Sequence, residues 1–174
     1  MEALAKRLAR GEPAAFAELY DDCADRLYHY LIVRLRSSDA AGDVLQDTFV
    51  RLARSRRRFA GVENPVAYAF AVARNEAHRA AGRRVREEGL LTATADELFV
   101  AAPDDHAARE AAESVAGAMA RLSEELREII ELKHYSELTF REIAEVTGLP
   151  QGTAATRYRT AIGRLRGFLA KEWS

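Results

Sequence analysis

Apolar residues recur at steps of three and four through most of the chain, and the places where that period breaks mark its divisions. Between Pro13 and Arg36, the residues Phe16, Leu19, Tyr20, Cys23, Leu27, Tyr30, Leu31 and Val33 follow this spacing, which predicts a long amphipathic helix. Ser37-Ser38-Asp39 interrupts it, and Ser38 or Asp39 is placed to cap a second helix over 40–54. That helix turns Val44, Leu45, Thr48, Phe49 and Leu52 inward. Residues 55–64 read as a basic loop. Asn64-Pro65 then opens a third helix, through Tyr68, Phe70, Val72, Ala73 and His78 to about 84, with proline at a tolerated early position. From 87 to 105 the period fails among small, acidic, Gly and Pro residues, with a short turn expected over 96–100. Helical character returns over 107–120. Leu122-Ser123-Glu124-Glu125 signals a helix start, and Leu126, Ile129, Ile130 and Leu132 carry that helix to about Tyr135.

The last stretch has a shape of its own. Thr139 can cap a short helix whose apolar face is Phe140, Ile143 and Ala144. Gly148 suits a tight turn where φ is positive, and Pro150 suits the start of the next helix because it has no N–H to lose. The helix that follows carries Arg157, Arg159, Arg164 and Arg166. A short apolar helix, a tight turn and an arginine-studded helix make a helix-turn-helix, whose second helix enters a major groove. The alternative is a surface helix whose arginines are merely solvated.

Composition changes this picture in three ways. Of 174 residues, 48% are apolar and only 8% aromatic, with abundant alanine, so tightly packed helices are favoured over a sheet. A net charge of −1 argues against nucleic acid until the charges are placed. From Arg51 to Arg86 there are ten arginines against two acids, Glu63 and Glu76; from Glu87 to Glu113 there are eight acids against one arginine. The excess of 23 arginines over 3 lysines fits a GC-rich coding bias as well as phosphate recognition, so only the clustering carries weight. The single cysteine, Cys23, excludes an intrachain disulfide and a cysteine-rich zinc site, and reads as a small core hydrophobe. His29, His78, His106 and His134 are scattered without metal-ligand spacing, and neither a phosphate-cradling glycine loop nor a nucleophile motif is visible. The expectation is a non-enzymatic protein without cofactor or metal. With no signal peptide and no membrane-spanning apolar run, it is expected in the cytoplasm.

Taken together these segments resemble a bacterial extracytoplasmic-function (ECF) sigma factor of the sigma-70 family, over nearly the whole chain. Asp43-Val44-Leu45-Gln46-Asp47-Thr48-Phe49 is similar to the family's core-polymerase-binding motif. Val72-Ala73-Arg74-Asn75 is similar to its −10-reading helix, and Leu122 to Tyr135 with Thr139 to Leu169 to its −35-reading domain. The resemblance implies an all-α fold of two small helical domains. They are region 2 over 1–86 and region 4 over 116–174, joined by an acidic linker over 87–115. It implies a subunit that binds core RNA polymerase, directs it to −35 and −10 elements and assists promoter melting. The implied partners are the clamp of the polymerase's largest subunit, promoter DNA and an anti-sigma factor.

The residues supply reasons of their own. Asp43, Gln46 and Asp47 share a helix face at steps of three and four, with Phe49 as an apolar anchor nearby. Such a face suits an arginine-rich partner helix; alone it also reads as a solvated stripe. Arg56, Arg57 and Arg58 beside Phe59, with Asn64 and Tyr68, combine charge for phosphates with rings for bases, as single-stranded DNA requires. For Phe59 and Tyr68 the competing reading is core packing. Arg74, Asn75, His78 and Arg79 extend that −10 surface along the next helix. On the −35 side the candidates are Arg141, Thr153, Thr156, Arg157, Arg159 and Arg164. The acidic linker fits a nucleic-acid mimic in a basic channel and an ordinary tether equally.

Some positions depart from the family pattern. Arg79 stands where Asp is common, Tyr68 where Trp is frequent, Ala155 where Lys or Arg is usual, and Thr160 where Arg is usual. Base discrimination is therefore expected to shift toward Thr156, Arg157 and Arg159. The alternative function is a stand-alone helix-turn-helix repressor or activator. Such a protein needs neither the Asp43 face nor a basic, aromatic surface in a second domain.

Overall fold

The computed structural model describes residues 3–88 and 106–172, and every regular element among them is helical. The acidic segment 89–105, with the turn expected over 96–100, lies outside the described residues.

The N-terminal half has four helices. Helix α1 (Leu4–Arg10) was not expected; only Leu8 of its two turns is fully buried. It stops at Gly11, whose φ of 82° is left-handed and whose N–H bonds back into the helix. Helix α2 (Pro13–Leu35) buries Leu19, Cys23, Leu27, Tyr30 and Leu31, so Cys23 is the core hydrophobe its spacing indicated. Helix α3 (Ser38–Arg54) is capped one residue earlier than expected: the Ser37 hydroxyl, not Ser38 or Asp39, accepts from the Ala40 N–H at 3.2 Å. Asn64 caps helix α4 (Pro65–Glu88), its Oδ1 accepting from the Ala67 N–H at 3.0 Å.

The C-terminal half is α5 (His106–Ala120), α6 (Glu124–His134), α7 (Phe140–Thr147) and α8 (Gln151–Glu172). Residues 106–115, assigned above to the linker, are thus the first part of α5. Ser123 takes the N-cap position of α6 without a side-chain cap bond. Thr139 forms a full capping box with Glu142, and Gly148 turns the chain at φ 74° between α7 and α8. Leu122, Leu126, Ile130 and Ala161 join α6 to α8 in a small core.

The larger core crosses between the halves. Tyr30, Phe70 and Ala73 belong to the same buried cluster as Ile129, Leu132, Leu138 and Ile143. The two helical domains are therefore packed face to face, and this placement decides which candidate residues are open.

Candidate nucleic-acid interface

Helix α3 keeps its expected polar row in the open. Asp43, Gln46 and Asp47 are exposed, while Ala41, Val44 and Thr48 are buried on the opposite face. They edge a cavity of about 330 Å³ whose other wall is Ala80, Arg83, Arg84 and Glu87 of α4. Phe49 is half-buried and rests on the exposed Tyr20, ring centroids 4.9 Å apart.

The segment after α3 is not a loop but a tight 3-10 turn, Arg56–Gly61. Its winding sends Arg56, Arg57 and Arg58 outward and Phe59 inward. Phe59 is 0% exposed and sits edge-on between Phe16, at 6.2 Å, and Tyr68, at 5.2 Å. This corrects the assignment of Phe59 to base stacking: a ring already closed in by two others has no face to offer. Of the two aromatics only the half-buried Tyr68 retains one. Arg56 also lies across Gly11, where a Cβ would meet the outer part of this flexible side chain at 2.8 Å; the left-handed φ, not that contact, is what calls for glycine.

Helix α4 divides the expected −10 residues. Asn75 and Arg79 are exposed. Arg79 bonds Glu76 at 2.9 Å, and Glu76 also pairs with Arg51 of α3 at 2.8 Å, so this buried carboxylate ties the two helices together. Arg74, Asn64 and the likewise exposed His78 meet acids of the C-terminal half. Arg74 grips Glu128 with two nitrogens, at 2.6 and 3.0 Å. His78 lies 3.7 Å from the same carboxylate. The Asn64 amide, its oxygen capping α4, donates through Nδ2 to Glu142 at 3.1 Å.

Arg34 of α2 completes this cluster. Its side chain is 8% exposed and binds Glu131 at 3.0 Å, Glu124, and Glu128 at 3.9 Å. Burial alone would raise the Glu128 carboxyl, but the Arg74 hydrogen bond and the charges of Arg74 and Arg34 hold it below the usual carboxylate range. Burial raises Glu131 instead, against the pull of Arg34. Burial and then the Arg74 charge lower His78, which keeps its imidazole neutral at neutral pH. Arg34, Glu128 and Glu131 were absent from the sequence expectations. A signal for Arg34 existed: it continues the stripe Leu27, Leu31 at a helical step, and an ionisable residue on an apolar stripe needs a partner.

The second helix of the helix-turn-helix presents Thr156, Arg159 and Arg164 to solvent, with Thr153 half-buried. Arg159 donates to the Thr156 hydroxyl at 3.2 Å. Arg157, expected among the leading base readers, instead lies on the flank toward α6 and pairs with Glu125 at 3.3 Å. Arg141 is exposed at the start of α7, 3.6 Å from both Glu63 and Glu145. None of the described helices is long and apolar enough to cross a membrane, and no group of His, Cys, Asp or Glu among the described residues could hold a metal ion.

Comparison with known proteins places this architecture. Residues 19–87 match the family Sigma-70 region 2, and residues 112–165 match Sigma-70, region 4. The chain is 32% identical over 160 residues to the ECF RNA polymerase sigma factor RpoE of Cereibacter sphaeroides, covering 89% of this chain and 86% of that protein. It is 29% identical over 174 residues to the ECF RNA polymerase sigma factor SigK of Mycolicibacterium vanbaalenii, covering 95% and 87%. Among solved structures, the fold matches CnrH in complex with the cytosolic domain of CnrY with a TM-score of 0.72 at 22% identity, over 97% of this chain and 96% of that one. It matches the sigma factor RpoE of Bartonella quintana, in complex with the anti-sigma factor NepR, with a TM-score of 0.60 at 26% identity, over 83% and 89%. A stand-alone helix-turn-helix regulator does not account for a region 2 match through the N-terminal half. The chain belongs to the extracytoplasmic-function sigma factors of the sigma-70 family, and its function is that of an RNA polymerase sigma factor in transcription initiation.

Proposed function

We propose that this sigma factor works through three faces. Asp43, Gln46 and Asp47, with Phe49, dock on a basic helix of the core polymerase clamp. Asn64, Tyr68, Arg74, Asn75, His78 and Arg79 take the melted −10 strand, with Arg56, Arg57 and Arg58 contacting phosphates. Thr153, Thr156, Arg159 and Arg164 enter the −35 major groove, while Arg141 meets the backbone and Arg157 flanks the contact. The observation that carries this reading is the row of exposed polar side chains on α3, Asp43, Gln46 and Asp47, beside a second set of exposed side chains, basic ones, on the turn after it and on α4. A helix with acceptors on its open face suits a cationic protein partner, and a helix with arginines, an amide and a ring suits a nucleic-acid strand. The relative from Bartonella quintana, solved with an anti-sigma factor, supports an anti-sigma partner for this chain as well.

Run-off transcription with purified core polymerase and a library of promoter fragments tests the whole reading. Selective transcripts that require the chain are expected, with unpaired thymines upstream of the start site in permanganate footprints. Core polymerase that initiates identically with and without the chain overturns it.

A further inference from the structure

One carboxylate between α3 and α4 holds two arginines, and only one of them belongs to the −10 face described above. The Arg51 Nε lies 2.8 Å, and the Arg79 Nη1 2.9 Å, from the same oxygen of Glu76. The Glu76 side chain is 9% exposed, whereas those of Arg51 and Arg79 are 51% and 53% exposed. Sharing one oxygen from two helices brings the guanidiniums side by side. Each spends a single nitrogen on Glu76, and neither has another partner among the described residues. A carboxylate that served only to tie α3 to α4 needs one cation. Two leave a positive charge uncompensated, with several N–H donors pointing to solvent from a rigid two-helix base. Position 79 is also where Asp is common in the family pattern; here the acid stands at Glu76 instead, turned inward.

We propose that Arg51 and Arg79, braced on Glu76, form a seat for one backbone phosphate of promoter DNA at the −10 element. This rests on the −10 assignment above and extends it to α3, whose Arg51 that assignment leaves out. A phosphodiester carries two anionic oxygens, one for each guanidinium, and the donors that Glu76 leaves unused are those available to them. An Asp at position 79 repels a phosphate at this spot; Arg79 attracts it, so the departure from the family pattern changes the sign of the contact. The seat reads no base. It fixes the register of the strand against α4, where the exposed Asn75, one turn before Arg79, is the neighbouring group able to meet a base edge. Arg51 follows Asp47 by one turn of α3, so the seat also adjoins the row assigned to core polymerase. DNA backbone and core enzyme then meet on successive turns of one helix.

The test uses holoenzyme assembled from the full chain and an excess of core polymerase, with a dye-labelled fork of a promoter that the transcription assay returns. The variants are Arg51→Gln and Arg79→Gln, singly, so that Glu76 always keeps one partner. Each is expected to bind the fork more weakly at about 50 mM salt, with the deficit narrowing roughly threefold by about 200 mM, because one lost phosphate contact takes about 0.7–0.9 from the slope of log affinity on log salt. A methylphosphonate then replaces one phosphate of the fork at a time. At one position this neutral group should weaken wild-type binding and cost neither variant anything further. Glu76→Ala, which frees both guanidiniums, should spread that penalty over neighbouring positions; a penalty still confined to one position takes Glu76 out of the site. Slopes equal to the wild type's overturn the seat. Penalties that simply add at every position overturn it as well, whatever the slopes, since a shallower slope alone is a distant charge effect. Asn75→Ala separates the two readings. If the seat fails while Asn75→Ala still weakens fork binding, the −10 assignment stands without it; if Asn75→Ala binds like wild type, that assignment falls too.

Discussion

At the scale of single residues, burial separates side chains that share a motif. Asp47 stands in the open on α3, so its reversal should touch function alone. Asp47→Lys is expected to weaken core polymerase binding by about tenfold, equivalent to ~1.4 kcal/mol, with an unchanged circular dichroism spectrum. Equal affinities by titration of labelled core would remove Asp47 from the interface. Phe59 is the opposite case. Wholly buried between Phe16 and Tyr68, it should behave as core: Phe59→Ala is expected to cost about 3–5 kcal/mol of stability in urea unfolding. A promoter-melting defect at unchanged stability would instead restore the stacking role. The sequence pairs Phe59 with three arginines, and that pairing suits a DNA surface. Whether its ring faces out depends on the 3-10 winding of the turn and on α1 packing behind it, and neither leaves a periodic trace.

At the scale of elements, most of the fold was legible because amphipathic helices advertise themselves. The stripes of α2, α3 and α4 and the Thr139–Gly148–Pro150 punctuation all specify local structure. Helix α1 has only two turns, too few for a period to stand out, and the cap of α3 falls on Ser37, one residue before the Ser38 or Asp39 expected. The capping box of α7 gives a direct check. Thr139→Ala leaves the Glu142 N–H without its hydroxyl acceptor and should cost about 1 kcal/mol in thermal unfolding of region 4. Orientation within α8 was less legible, since every arginine on a basic helix looks alike until its neighbours are known. Arg159 faces solvent and Arg157 faces Glu125. Arg159→Ala should therefore lower −35 duplex affinity more than Arg157→Ala does, by about 1–3 kcal/mol if it reads a base. The reverse ranking in an electrophoretic mobility series would show that α8 meets DNA along its other flank.

At the scale of the whole molecule, the seam between the domains was the least legible part. Arg74 and Glu128 lie 54 positions apart, and Arg34 and Glu131 lie 97 apart; no local pattern couples them. The seam's response to solvent follows from its burial. Salt screens exposed charges over a few ångströms but reaches buried pairs poorly. Small-angle scattering should therefore find the same radius of gyration at low salt and at roughly 1 M salt, where the screening length is about 3 Å. Steady expansion with salt would mean the pairs are more accessible than their burial indicates. Glu142 carries a further consequence. One of its oxygens serves the Thr139 cap within α7, while the other takes the Asn64 amide across the seam. Asn64 likewise keeps its bond to the Ala67 N–H whether or not Glu142 is near. Each residue can release the other and still hold the end of its own helix, so no helix has to melt when the domains move apart. Any separation of the two domains would then be a movement of rigid bodies, on the order of microseconds to milliseconds, with no refolding step to delay it.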